Sequence, residues 1–156
     1  MVESPPRSLE KKEENSSFRK DCEYCTDKDR VIFFIDARNI LGGEKTYRES
    51  HPDYRFGYKE LIIYLSKFFK IIRGYYYDGA QHPNQRTKPK QDFFNLLREL
   101  GITLRLKEID FTRNSSPSQK GVDIFLTSDM ISLAYENAYD VAVILSGDGD
   151  YVALVD

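Results

Sequence analysis

Two aspartates one glycine apart, Asp148 and Asp150, follow the apolar run Val141-Ala142-Val143-Ile144-Leu145, and a third, Asp36, ends the run Val31-Ile32-Phe33-Phe34-Ile35. Glycines at 147 and 149 let the backbone turn tightly and bring the carboxylates close together. Crowded carboxylates repel one another, and a divalent cation among them relieves the repulsion; an all-oxygen site that keeps several waters suits Mg²⁺. Taken alone, Gly147-Asp148-Gly149-Asp150 reads equally well as turn and capping chemistry.

Other chemistry finds less support. His51 precedes Pro52 and His82 precedes Pro83, both in polar stretches, so the spacing predicts two surface histidines with no partner for general acid and base work. Cys22 and Cys25 form a lone C-x-x-C before the first apolar run. A zinc site needs about four ligands and no histidine completes one, so two reduced thiols in a polar arm are expected. No glycine-rich turn follows Ile35, which excludes dinucleotide binding of the usual kind.

Net charge is −2, but its distribution is uneven. Basic residues, among them Arg73, Arg86, Lys88, Lys90, Arg105 and Arg113, concentrate between Lys67 and Lys120; beyond Lys120 there is no lysine or arginine, and Asp123, Asp129, Asp140, Asp148 and Asp150 follow. A hard cation beside a phosphate-attracting surface would need both halves, although solvated faces alone also produce such asymmetry. Arg86, Lys88 and Lys90 are the candidates for touching a nucleic-acid backbone, with Arg38 beside Asp36 as another.

The elements that must position these groups follow from periodicity. Residues 1–28, rich in Ser, Glu, Lys and Pro, predict a disordered arm, and 29–156 a single domain. Val31 to Ile35 has the continuous apolar character of a strand buried on both faces, with Asp36 at its carboxyl end. A polar loop holding Gly42 and Gly43 is expected next, then a helix over 58–72, a strand at Tyr75-Tyr76-Tyr77, and a helix opened by Pro89 and stopped by Gly101. A third strand at 102–106, a helix over 121–137 and a fourth strand at 140–145 complete the pattern. Alternation along a strand puts Tyr76 on one face and its neighbours on the other, so these tyrosines are expected in the core. Strands alternating with helices imply an α/β three-layer sandwich with a mainly parallel, Rossmann-like sheet of about four strands. In such sheets sites form beyond the carboxyl ends of the strands, so Asp36 and Asp148 converge if the first and fourth strands are neighbours. The run over 61–72 is broken by Tyr64, Ser66, Lys67 and Lys70, too short for a membrane span, and the N-terminus lacks a secretory apolar core; a cytoplasmic protein is expected.

Four elements in order resemble the NYN domains, a branch of the PIN-like nucleases. Ile35-Asp36-Ala37-Arg38-Asn39 is similar to the first-strand motif, Lys120-Gly121-Val122-Asp123 to the opening of the central helix, and Asp129 to a further acidic position there. Ser146-Gly147-Asp148-Gly149-Asp150-Tyr151 resembles the motif after the fourth strand. The resemblance runs from about Arg30 to the end and implies that Asp36, Asp123, Asp148 and Asp150 hold Mg²⁺ or Mn²⁺, supported by Asn39, Asp129 and Ser146. It implies an endoribonuclease with RNA as partner, Lys120 meeting a phosphate near Asp123. A catalytically weak nucleic-acid-binding or regulatory module of the same fold is the alternative. A haloacid-dehalogenase-like phosphatase would need an acid two residues after Asp36, where Arg38 stands. Two departures are Ala37, where the family often has glycine, and an end at Asp156, where family members continue into a closing fifth strand and helix. A homodimer would be one way to cover the open sheet edge.

Overall fold

The computed structural model describes residues 29–109 and 121–155. The chain folds as β1 (Arg30–Asp36), α1 (Ala37–Tyr47), α2 (Tyr58–Leu65), β2 (Lys70–Ala80), α3 (Lys88–Glu99), β3 (Ile102–Glu108), α4 (Val122–Tyr135), β4 (Val141–Leu145) and a short α5 (Val152–Val155). Single 3-10 turns lie at Pro83–Gln85 and Gly149–Tyr151. Among the described residues the four strands make one parallel sheet in the order β3-β2-β1-β4, with helices on both faces and no closing strand. The expected arm at 1–28, with Cys22 and Cys25, lies outside the described residues, as does Lys120. Among the described residues no helix is long and apolar enough to cross a membrane.

β1 is central, and Val31 to Ile35 are all at most 2% exposed because both of its faces are covered. Phe33 and Ile35 point to one side with Tyr76, Tyr58, Phe94 and Leu97. Ile32 and Phe34 point to the other with Tyr75, Tyr77, Leu126 and Met130. The tyrosine run therefore alternates as its period of two requires, Tyr76 in one half of the core and its neighbours in the other. β2 and β3 are added on one side of β1, and the chain then returns to place β4 on the opposite side, so the strand order reverses between β1 and β4. The register pairs Ile35 with Leu145, which makes Asp36 and Ser146 the next residues along two adjacent strands.

Two expectations need correction. The polar loop after Asp36 is a helix: α1 begins at once, because the Asp36 carboxylate accepts the Asn39 N–H at 3.2 Å as an N-cap, and Ala37, fully buried, and Ile40 anchor it on the core. Gly42 and Gly43 disfavour a helix by propensity, each by about 1 kcal/mol relative to alanine in a helix interior, and the cap and core contacts outweigh them. The helix expected over 58–72 stops at Leu65, and Lys70, Ile71 and Ile72 open β2 instead, pairing Lys70 with Arg30 and Ile71 with Val31. The β-branched pair Ile71-Ile72 fits a strand at least as well as a helical stripe, and the start of β1 needs a partner. Elsewhere Pro89 lies in the first turn of α3, and Gly101, at φ +79°, follows its end as proposed.

The buried phenols set the alkaline limit of the fold. Burial pushes the Tyr58 hydroxyl up to about 12. Burial and then the charges of Asp78 and Asp129 push Tyr76 and Tyr77 higher still. An unfolded tyrosine ionises near 10, so above about pH 10 the unfolded chain releases protons that the native chain keeps, and stability falls as pH rises through the native values. We expect absorbance at 295 nm to show the phenols of Tyr58, Tyr76 and Tyr77 ionising only together with loss of far-UV circular dichroism. Ionisation of every tyrosine at one midpoint with the fold intact would contradict this.

Candidate active site

The carboxyl ends of β1 and β4 bring the groups together. Asp36 is half-buried there. Its carboxylate, besides capping α1, accepts the Ser146 hydroxyl at 3.2 Å and the Tyr151 hydroxyl at 3.3 Å. Asn39, in the first turn of α1, accepts the Gly147 N–H at 2.6 Å and so ties that helix to the loop after β4. A Cβ at Gly147 would stand 3.2 Å from the same Asn39 oxygen, a close approach that glycine eases. Asp148 caps the following 3-10 turn by accepting the Asp150 N–H at 3.0 Å, and its own N–H donates to Ser146 Oγ at 3.1 Å. Asp123 lies in the first turn of α4.

Asp36, Asp123 and Asp148 line one cavity of about 750 Å³ between α1 and the start of α4. Tyr151 marks their proximity from below: burial first, then Asp36, then the charges of Asp123 and Asp148 raise its hydroxyl well above the ordinary tyrosine range. Asp150 is exposed and does not line the cavity, although its backbone holds Asp148. As the side chains stand, no three His, Cys, Asp or Glu groups among the described residues converge closely enough to grip one ion. The donor set nevertheless fits a hard cation of the Mg²⁺ kind, which takes one or two direct carboxylates, keeps several waters and shares substrate phosphates.

The remaining sequence candidates have other partners. Arg105 holds the Asp129 carboxylate through two bonds of 2.6 and 2.7 Å, and Tyr77 donates to it at 3.0 Å, so Asp129 braces α4 against β2 and β3. Lys90 pairs with Asp78 at 2.7 Å and lies over the Phe94 ring. Arg86 donates to the Gln81 carbonyl at 2.8 Å, and Lys88 pairs with Asp92 one turn on. Sequence reasoning did not single out Asp78, only 3% exposed, nor Tyr151 as a partner of Asp36. The first left no local signal: only the β1–β2 pairing, in which Asp36 faces Tyr77, puts Asp78 one step further along the same edge.

The family model of the NYN domain matches residues 30–156. A crystal structure of a protein of unknown function from Vibrio parahaemolyticus is similar with a TM-score of 0.63 and 24% identity, over 84% of this chain and 74% of that one, a likeness of fold. No curated protein matches the chain.

Proposed function

Because this chain belongs to the NYN domain family, within the PIN-like nuclease superfamily, we propose that it is a metal-dependent endoribonuclease whose site is built on Asp36, Asp123 and Asp148. The observation that supports this most is the convergence of three carboxylates, from the end of β1, the start of α4 and the loop after β4, on one cavity where the strand order reverses. These three residues would hold Mg²⁺ or Mn²⁺, with Asp150 steadying Asp148 from the turn. A bound cation of this type polarises a phosphodiester oxygen and acidifies a water. The chain's own part is to keep the acids aimed. Ser146 and Tyr151 each donate to one Asp36 oxygen, and Asn39 locks the β4 loop against α1, so neither carboxylate-bearing end can drift. Arg38 and Lys120 are offered as phosphate contacts, with Arg86, Lys88 and Lys90 in and just before the first turn of α3 as further ones. The looseness of the acid cluster favours a second reading, a nucleic-acid-binding module of weak activity.

Labelled single-stranded RNAs of unrelated sequence, incubated with the purified chain and Mn²⁺, Mg²⁺ or EDTA, separate the two. Internal cleavage with metal and none with EDTA supports the enzyme; binding without cleavage in any condition supports the module; neither binding nor cleavage rejects both. Thermal melts give an independent measure. A cation that binds only the folded chain stabilises it by RT ln(1 + [L]/Kd), about 2.7 kcal/mol at a hundredfold excess. We expect Mn²⁺ to raise the melting temperature, and the combined Asp36→Asn and Asp148→Asn variant to lose that rise. A rise that persists in this variant would move the ion elsewhere.

A further inference from the structure

Gly42 and Gly43 stand in the interior of α1, where glycine weakens a helix, and no neighbour among the described residues asks for them. A Cβ at either position would meet nothing within 4 Å, and neither residue has the positive φ that favours glycine. Both line the cavity that holds the aspartates. Arg38, one turn before Gly42 on the same helix face, lines it too, and is its one cation among the described residues. Facing three carboxylates, Arg38 is exposed and makes no ion pair or hydrogen bond with any described residue, whereas Arg86, Lys88 and Lys90 all have partners. Lys45 follows on that face, about 10 Å from Arg38 along the axis at 1.5 Å per residue.

We propose that the exposed face of α1 is the track on which the RNA backbone lies. Arg38 binds a phosphate beside the scissile one, its donors left free for that contact, and offsets the repulsion between the acids and a polyanion. Gly42 and Gly43 keep the helix bare so that the sugar–phosphate chain can come against its backbone, at a cost in stability. Lys45 continues the positive line. This rests on the ribonuclease reading and adds to it where the strand runs.

The test uses two variants, Gly42→Ala with Gly43→Ala, and Arg38→Ala, each assayed for melting temperature, RNA binding in EDTA, and kcat/KM with Mn²⁺. The double alanine variant is expected to melt several degrees higher, because alanine favours the helix, and yet to bind RNA about tenfold more weakly. Arg38→Ala is expected to melt like the parent, to weaken binding alike for unrelated RNAs, and to flatten the slope of log K against log salt by about 0.7. A double variant that is more stable and binds and cleaves as before overturns the track, as does an unchanged salt slope for Arg38→Ala. If those results come with normal cleavage by the parent chain, the ribonuclease reading stands and only the track falls. A parent chain that neither binds nor cleaves RNA removes both.

Discussion

Asp148→Asn is expected to reduce RNA cleavage by at least about 100-fold while leaving the melting temperature close to that of the parent chain. The two outcomes separate because Asp148 has two jobs. One carboxylate oxygen caps the 3-10 turn by accepting the Asp150 N–H. Asparagine caps as well as aspartate does, so the turn survives. The negative charge is a different matter: an amide oxygen is an uncharged and weaker ligand to a hard cation, and in the proposed site Asp36 and Asp123 would attract the ion with one charge fewer. Asp36→Asn is a less clean probe. Its carboxylate accepts from both Ser146 and Tyr151, and an amide nitrogen at that place would point donors at two donors, one of them on a tyrosine only 7% exposed. It should therefore lose stability, by about 1–3 kcal/mol, as well as activity. Single-turnover cleavage at saturating Mn²⁺, together with a melt, decides the matter. Parental rates for Asp148→Asn would remove the proposed site.

Particular residues show why some of this was legible beforehand and some was not. Val31 to Ile35 and Val141 to Leu145 carry their own signal as short β-branched apolar runs bounded by polar residues, the first buried and the second half-buried at the sheet edge, and the place of Asp36 and Asp148 beyond them follows from chain order. Their adjacency does not follow, because strand order is a property of the whole sheet; it became known only with the β1–β4 register. Asp129 is expected to support the acidic cluster only through its likeness to the family's central helix, and Arg105, twenty-four residues earlier and on another element, takes both its oxygens. Lys90 looked free for phosphate and is paired with a buried aspartate twelve residues back. Long-range ion pairs leave no local pattern. Ile71 and Ile72 failed for a different reason: apolar residues at these spacings satisfy a helical stripe and a strand alike, and the demand of β1 for a neighbour decided between them.

The same packing that makes the sheet legible makes one of its glycines indispensable. Gly74 sits in β2 between Phe33 of β1 and Ile102 of β3. A Cβ there would fall 2.0 Å from Phe33 Cζ and within 2.7 Å of two further ring carbons, so the phenyl ring lies where the methyl would go. Phe33 is 2% exposed and shares its half of the core with Tyr76, Phe94 and Leu97, which leaves the ring nowhere to swing. Gly74→Ala is accordingly expected to destabilise the fold by about 3 kcal/mol, at the upper end for overpacking and contrary to the usual gain from replacing glycine in a strand. Phe33→Leu alone should cost about 1–3 kcal/mol through the lost contacts and the cavity it leaves. If the ring is the obstacle, the two changes must not add: the double variant should be less destabilised than the sum by about 0.5–3 kcal/mol, because leucine vacates part of the space that alanine needs. Urea unfolding of the four proteins measures this cycle directly, with equal m-values confirming that the same unfolding is compared. An additive cycle, or a Gly74→Ala variant as stable as the parent, would mean that β1 and β2 can separate enough to admit a methyl group and that the register at Phe33 is not held by packing.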